Sequence, residues 1–222
     1  MSARLLELVL FYPLLLFSLS FHEAAHAWTA SRLGDSTARH LGRITLNPWP
    51  HMDMIGTLLL PVMAILMSTP LIGWGKPVPV DWRNLRHPLR DNMWIAAAGP
   101  FSNLTLALFF ALLIRGLLQS LPGMDPMLLT NGRWLHTAAG VLLTLFQTGV
   151  FLNLALAFFN LIPIFPLDGG NILRGLLPAR AVAGYDQFFL RYGMIVLLAL
   201  FFGGLLRYVL IPVDWLAGVL LP

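Results

Sequence analysis

Four long apolar runs constrain this chain more than any other feature. They cover residues 5–31, 93–118, 136–162 and 187–206. A hydrocarbon layer about 30 Å thick needs about 20 predominantly apolar residues to cross it as a helix. Inside such a layer the backbone has to satisfy its own polar groups, so runs of this kind become helices. Composition agrees: 58% of residues are hydrophobic and only 11% are charged, where soluble domains carry about 25%. The expectation is an all-α polytopic membrane protein with about four to five transmembrane helices and the lipid bilayer as its permanent surroundings. A chain of 222 residues is read as one membrane-embedded domain over 1–222, with no separate soluble module.

Inside the first run stands His22-Glu23-Ala24-Ala25-His26. On a helix this spacing puts two imidazoles one turn apart on one face, the arrangement that chelates zinc. The glutamate beside them can act on water that the metal activates. Two histidines four apart can also serve simply as hydrogen-bond partners for neighbouring helices. At membrane depth, however, a His-Glu-His cluster is costly enough to require a function. One Zn2+ per chain, held by His22 and His26, is therefore the expected cofactor. Glu23 is the expected general base, taking a proton from the attacking water and passing it to the leaving amine. Cysteine is absent, which excludes disulfides, thiolate ligands and cysteine nucleophiles and leaves His, Asp or Glu for the third ligand. Ser2-Ala3-Arg4, the apolar run after it and Ala25-His26-Ala27 loosely resemble a signal peptide with its cleavage site. Cleavage there would destroy the metal motif, so the run is read as a retained span.

Asp168 is the best candidate for the third ligand. It follows the run 136–162 in Asn160-Leu161-Ile162-Pro163-Ile164-Phe165-Pro166-Leu167-Asp168-Gly169-Gly170. Pro-Leu-Asp-Gly-Gly is also good turn chemistry, and alone the aspartate carries no assignment. Pro163 and Pro166 interrupt helical hydrogen bonding, and the two glycines let the backbone bend, which would bring a carboxylate sideways toward the metal. To meet His22 and His26, Asp168 must leave the membrane on their side. That holds if the apolar segment 55–71, interrupted by Pro61, is re-entrant, and fails if it crosses. The re-entrant arrangement places Arg32, Arg39, Arg43, Lys76, Arg83, Arg86, Arg90, Arg174, Arg180 and Arg191 on one face, ten of the fourteen basic residues. The positive-inside rule makes that face cytoplasmic. A net charge of +4 and a pI near 10.1 then read as loops facing anionic lipid, with no nucleic acid partner.

Asn103 lies four residues after Gly99 in Ala98-Gly99-Pro100-Phe101-Ser102-Asn103. It is either glue between closely packed helices or a donor to the substrate backbone or a developing oxyanion. Asn160 is expected to tie down backbone freed by Pro163. His40, His51, His87 and His136 read as surface or interfacial histidines, His51 being the one within reach of a polar chamber. Trp49, Trp74, Trp82 and Trp94 read as interface anchors. A zinc transporter would need acidic or histidine residues along more than one span. Here the intramembrane acids reduce to Glu23 and Asp168, with Glu7 near the opposite end.

Taken in order, these three motifs resemble the site-2 protease family of intramembrane zinc metalloproteases. The likeness runs from about residue 15 to 178. It implies His22, His26 and Asp168 as zinc ligands, Glu23 as catalytic base and Asn103 as a residue supporting substrate or intermediate. It implies hydrolysis of peptide bonds within transmembrane segments of other membrane proteins, that is, regulated intramembrane proteolysis. The expected setting is a prokaryotic plasma membrane, with the active site toward the cytoplasmic face. Segments 36–53 and 73–81 would be short membrane-associated strands presenting unfolded substrate. The chain differs from larger members in lacking a PDZ or nucleotide-sensing domain, and 55–71 is an addition to the minimal core.

Overall fold

A computed structural model describes residues 3–67, 73–120, 138–205 and 207–222. Helix α1 (Ala3–Leu33) continues through Pro13 and carries the His-Glu-His motif. A short α2 (Thr37–His40) and a 3-10 turn at Trp49–His51 follow. A π-helical stretch, Met54–Leu59, then leads into α3 (Leu60–Met67). Beyond an extended segment come α4 (Pro88–Gln119), α5 (Ala138–Asn160), α6 (Asp168–Leu176), α7 (Ala179–Phe202) and α8 (Arg207–Leu220).

The bundle centres on α4, which packs against α1, α5 and α6, while α8 lies on α5. Its core is aliphatic and aromatic: Leu14 and Leu15 from α1, Phe110 and Ile114 from α4, Val150 and Leu154 from α5. Among the described residues, α4, α5 and α7 are long and apolar enough to cross a membrane. Their outer faces keep Leu108, Phe109 and Leu112 of α4 and Leu190, Met194 and Ile195 of α7 exposed. Apolar surface this extensive does not face water in a soluble monomer. The protein is a multi-pass membrane protein.

Three expectations are corrected. The first is the strands. Over 36–53 the chain forms α2, turns and the 3-10 helix, and 73–80 is extended without a ladder, so no strand is present among the described residues. Pro48, Pro50, Pro77 and Pro79 explain this, because each removes a donor that a ladder needs. Segment 73–80 is instead held by isolated bonds: Lys76 N–H to the His51 carbonyl (2.8 Å), the Arg43 guanidinium to the Lys76 carbonyl, and Trp74 N–H to the Gly56 carbonyl of the helix that follows 36–53 (3.1 Å).

The second correction concerns 55–71. Its described part is continuous helix, Met54–Met67, with no re-entrant turn; positions 68–71 lie outside the described residues. Asp53 starts this helix by accepting from the N–H groups of Ile55 and Gly56. Pro61 cannot donate to the Thr57 carbonyl four residues back, and the preceding turn widens to a π-helix. The freed carbonyl takes a hydrogen bond from the Tyr12 hydroxyl instead, at 3.1 Å. At 1.5 Å per residue the described part is about 21 Å long, less than a crossing needs.

The third correction concerns the last span. Helix α7 begins earlier than residue 187 and stops at Phe202, before Gly203 and Gly204. The segment after the break is a separate helix, α8. Residues 121–137, which include His136 and the start of the apolar run 136–162, lie outside the described residues.

Candidate metal centre

Helix α1 places His22 and His26 one turn apart, both buried, with their rings edge to face at 4.6 Å between centroids. The two Nε2 atoms lie 3.0 Å from each other. Asp168 arrives from far along the chain as the first residue of α6. Its Oδ2 is 3.1 Å from His22 Nε2 and its Oδ1 is 3.4 Å from His26 Nε2. Gly169 and Gly170 make this approach possible. A Cβ on Gly169 would lie 2.3 Å from the carbonyl oxygens of Leu161 and Ile162, and one on Gly170 would lie 2.7 Å from the Phe165 nitrogen. Only glycine lets the first turn of α6 fold flat against 161–165.

The remaining ring nitrogens fix the tautomers. His26 Nδ1 is 2.6 Å from the Ile95 carbonyl, which can only accept, so this nitrogen carries the proton. His22 Nδ1 is 2.6 Å from Asn103 Oδ1 and is likewise the N–H. In the neutral rings both Nε2 atoms therefore present lone pairs, to each other and to the carboxylate. Asp168 Oδ2 is buried with no hydrogen-bond partner. Two lone-pair nitrogens and an unpartnered carboxylate oxygen converging in this way fit a small cation. All three ligand atoms lie within 4.8 Å of one another, and a nitrogen–nitrogen–oxygen set suits zinc. Gly99 of α4 closes the floor: a Cβ there would lie 2.5 Å from His22 Cε1 and Nε2 and from His26 Cε1.

Glu23 is buried beside this cluster. Segment 73–76 passes over it, with the Cβ position of Gly75 3.3 Å from Glu23 Oε1 and 3.5 Å from the His51 carbonyl. Arg43 is close enough to feel the Glu23 charge, and its guanidinium donates to the Lys76 carbonyl. A cavity of about 310 Å³ opens next to Arg43 between Leu41, Pro50, Lys76, Pro77 and Pro79. His51 is buried as well. Its Nε2–H donates to the Thr45 carbonyl (2.9 Å), and burial pushes its pKa below the ordinary histidine value.

Asn103 is fully buried, with Oδ1 on His22 and Nδ2 donating to Asn153 Oδ1 at 2.9 Å. Asn160 Nδ2 donates to the Leu156 carbonyl in the last turn of α5. His40 and His87 are exposed, as are Trp49, Trp74, Trp82 and Trp94. Sequence reasoning missed Asn153 and Ser18, which carry the Asn103 network further. It also missed Asp35, which anchors the loops below the site. A signal was available for the first two: each is a polar residue inside an apolar helix, and Ser18 stands one turn before His22.

The sequence signature of Peptidase family M50 matches residues 10–202. The chain is 36% identical over 222 residues to the "Putative zinc metalloprotease YwhC" of Bacillus subtilis, covering 91% of this chain and 89% of that protein. It is 31% identical over 183 residues to the "Putative zinc metalloprotease Rip2" of Mycolicibacterium smegmatis, covering 74% of this chain and 60% of that protein. The Rip2 of Mycobacterium tuberculosis strain H37Rv is 31% identical over 190 residues, covering 83% of this chain and 64% of that protein. The chain thus spans less than two thirds of the Rip2 relatives. No solved structure matches it significantly.

Proposed function

The chain belongs to peptidase family M50, the site-2 proteases, and from that premise we propose that it hydrolyses peptide bonds within transmembrane segments of other membrane proteins, using zinc held by His22, His26 and Asp168. The observation that carries this reading is the convergence of three ligand atoms from α1 and α6 with Glu23 alongside. Zinc, when bound, supplies a Lewis acid that polarises the scissile carbonyl and acidifies water.

The residues of the chain do the rest. Glu23, adjacent to His22 on α1, takes the proton from the attacking water and delivers it to the departing amine nitrogen. The Ile95 carbonyl and Asn103 orient the two imidazoles through their Nδ1–H groups. With both polar ends of its amide engaged, Asn103 serves His22 as a positioning residue, in preference to the substrate. Gly99 lets α4 close on the rings and keeps the floor dry. A helical peptide bond is shielded and its carbonyl already bonded, so the substrate has to unwind locally to be cut. The extended segment 73–80 lies over Glu23 and flanks the cavity beside Arg43, a path by which water and unwound chain reach the site.

Sidedness follows from charge. Asp35 at the end of α1 binds Asn84 and the Asp81 N–H, Arg43 binds Lys76, and Arg174 stacks on Trp82. The basic loops are thereby gathered at the end of the bundle that holds the site, which the positive-inside rule assigns to the cytoplasm.

The test compares wild type with Glu23→Gln on a single-span model substrate, with bound zinc measured in both. The variant should keep its zinc and lose cleavage by at least about 1,000-fold, general-base and electrostatic losses together. Zinc-loaded variant protein that cleaves at the normal rate would refute the role of Glu23.

A further inference from the structure

His22 and His26 need the same tautomer, and the fold enforces it in different ways. His26 is read directly against a backbone carbonyl. His22 faces a primary amide, and an amide can turn over. Turned over, Asn103 would present its NH2 group to His22 Nδ1, the ring proton would move to Nε2, and the lone pair facing Asp168 and His26 would be lost.

What prevents that reversal lies on α5. Asn153 is fully buried, and its Nδ2 donates to the Gly149 carbonyl (2.9 Å) and to Ser18 Oγ (3.0 Å). The Gly149 carbonyl can only accept, so the NH2 end of Asn153 has one permitted orientation and its Oδ1 faces Asn103. Asn103 then has to offer Nδ2 to Asn153, at 2.9 Å, and Oδ1 to His22, at 2.6 Å. Each donor–acceptor direction is set by the one before it, beginning at a group that cannot donate. We propose that Asn153 is the positioning residue that locks the tautomer of His22 and so keeps its Nε2 lone pair available to the metal. This rests on His22 being a zinc ligand. It adds a residue from a fourth helix, α5, that touches none of the three proposed ligands. Groups that hydrogen-bond and orient zinc-bound histidines are worth roughly 10–100-fold in metal affinity.

The test uses the full-length protein in detergent, stripped of metal and labelled with 15N-histidine. Imidazole nitrogen shifts distinguish the Nδ1–H from the Nε2–H form, and chelator competition gives zinc affinity. Wild type should show His22 as Nδ1–H. In Asn153→Leu an Nε2–H population should appear, and zinc should bind roughly 10–100-fold more weakly. Adding Asn103→Asp should restore affinity to within about threefold of wild type, because a carboxylate only accepts and cannot turn a donor toward His22. A purely structural role for Asn153 would not be rescued in this way. The proposal is overturned if Asn153→Leu keeps both the Nδ1–H signal and wild-type affinity, or if the double variant stays as weak as the single one. Should Asn153→Leu fail to fold, Asn153→Asp takes its place. It keeps an acceptor for Asn103, so the Nδ1–H signal should persist, and its loss would overturn the lock. A wild type that binds no zinc sinks the metal reading, while the tautomer signals still decide the lock.

Discussion

Replacing Gly99 by alanine adds a single methyl group, and the structure predicts how much it costs. The new carbon would stand 2.5 Å from atoms of both imidazoles. Relaxed carbon contacts are about 3.5–4.0 Å, so a separation of about 1 Å has to be found. If α4 retreats from α1 by that amount, it carries Ile95 and Asn103 with it. The two 2.6 Å bonds to His26 and His22 then stretch to about 3.6 Å, outside hydrogen-bond range. Losing both costs about 1–3 kcal/mol of stability. If the rings move instead, they leave the positions from which they converge with Asp168. Either way zinc should bind about 100-fold more weakly, which is about 2.7 kcal/mol. The assay is competition between metal-stripped protein and a chromophoric chelator. Gly116→Ala serves as control, since it lies on the same helix with nothing within 4 Å of its Cβ position. A Gly99→Ala protein that binds zinc within about threefold of wild type would refute the claim that α4 closes on the two rings.

Two further outcomes concern the supports beneath the site. Asp35 is buried and accepts from Thr37 N–H (3.1 Å), Thr37 Oγ1 (2.5 Å), Asn84 Nδ2 (2.9 Å) and Asp81 N–H (2.8 Å), so Asp35→Ala should cost about 2–4 kcal/mol. Burial opposes its ionisation, but those hydrogen bonds outweigh burial and hold its pKa below the ordinary carboxylate value. Its stabilisation is therefore complete above the unfolded-state pKa of about 3.9 and is lost as pH falls through the depressed folded value. The gap in unfolding temperature between wild type and Asp35→Ala should narrow on acidification from about pH 6 to about pH 3, and a constant gap would contradict this. Arg174 binds Asp186 through two bonds of 2.7 and 2.8 Å and lies 4.4 Å over the Trp82 ring. Arg174→Leu should lower stability by about 1–3 kcal/mol, and Arg174→Lys should recover only part of it, because lysine lacks the planar fork; thermal melts in detergent measure both.

How far the sequence reveals such a site depends on how local each signal is. His22 and His26 are legible because their spacing matches the helical turn. Asp168 was reachable because a zinc site needs a third ligand and cysteine is absent, so one stranded carboxylate stood out. The strands were not legible: the run Arg43-Ile44-Thr45-Leu46 has strand character, and only the prolines at 48, 50, 77 and 79 reveal that no ladder closes. The segment after Asp53 was read as re-entrant because that puts Asp168 and most of the basic residues on the side of His22 and His26, and Pro61 suited a broken helix; yet the Tyr12 hydroxyl takes up the freed carbonyl and the helix goes on. Asn103 was legible as a polar residue inside an apolar span, but its hydrogen bonds to His22 and to Asn153, 50 positions away, were not. Buried hydrogen-bond direction is a property of the assembled bundle, and no window of sequence contains it.

The distance along the chain between His26 and Asp168 sets a time as well as a shape. About 140 residues separate them. At roughly 5–20 residues per second, synthesis puts about seven to thirty seconds between the appearance of His26 and that of Asp168. During that interval the helix that carries His22, Glu23 and His26 is already made, but Asp168 is not. The three side chains can therefore converge only once α6 has been made.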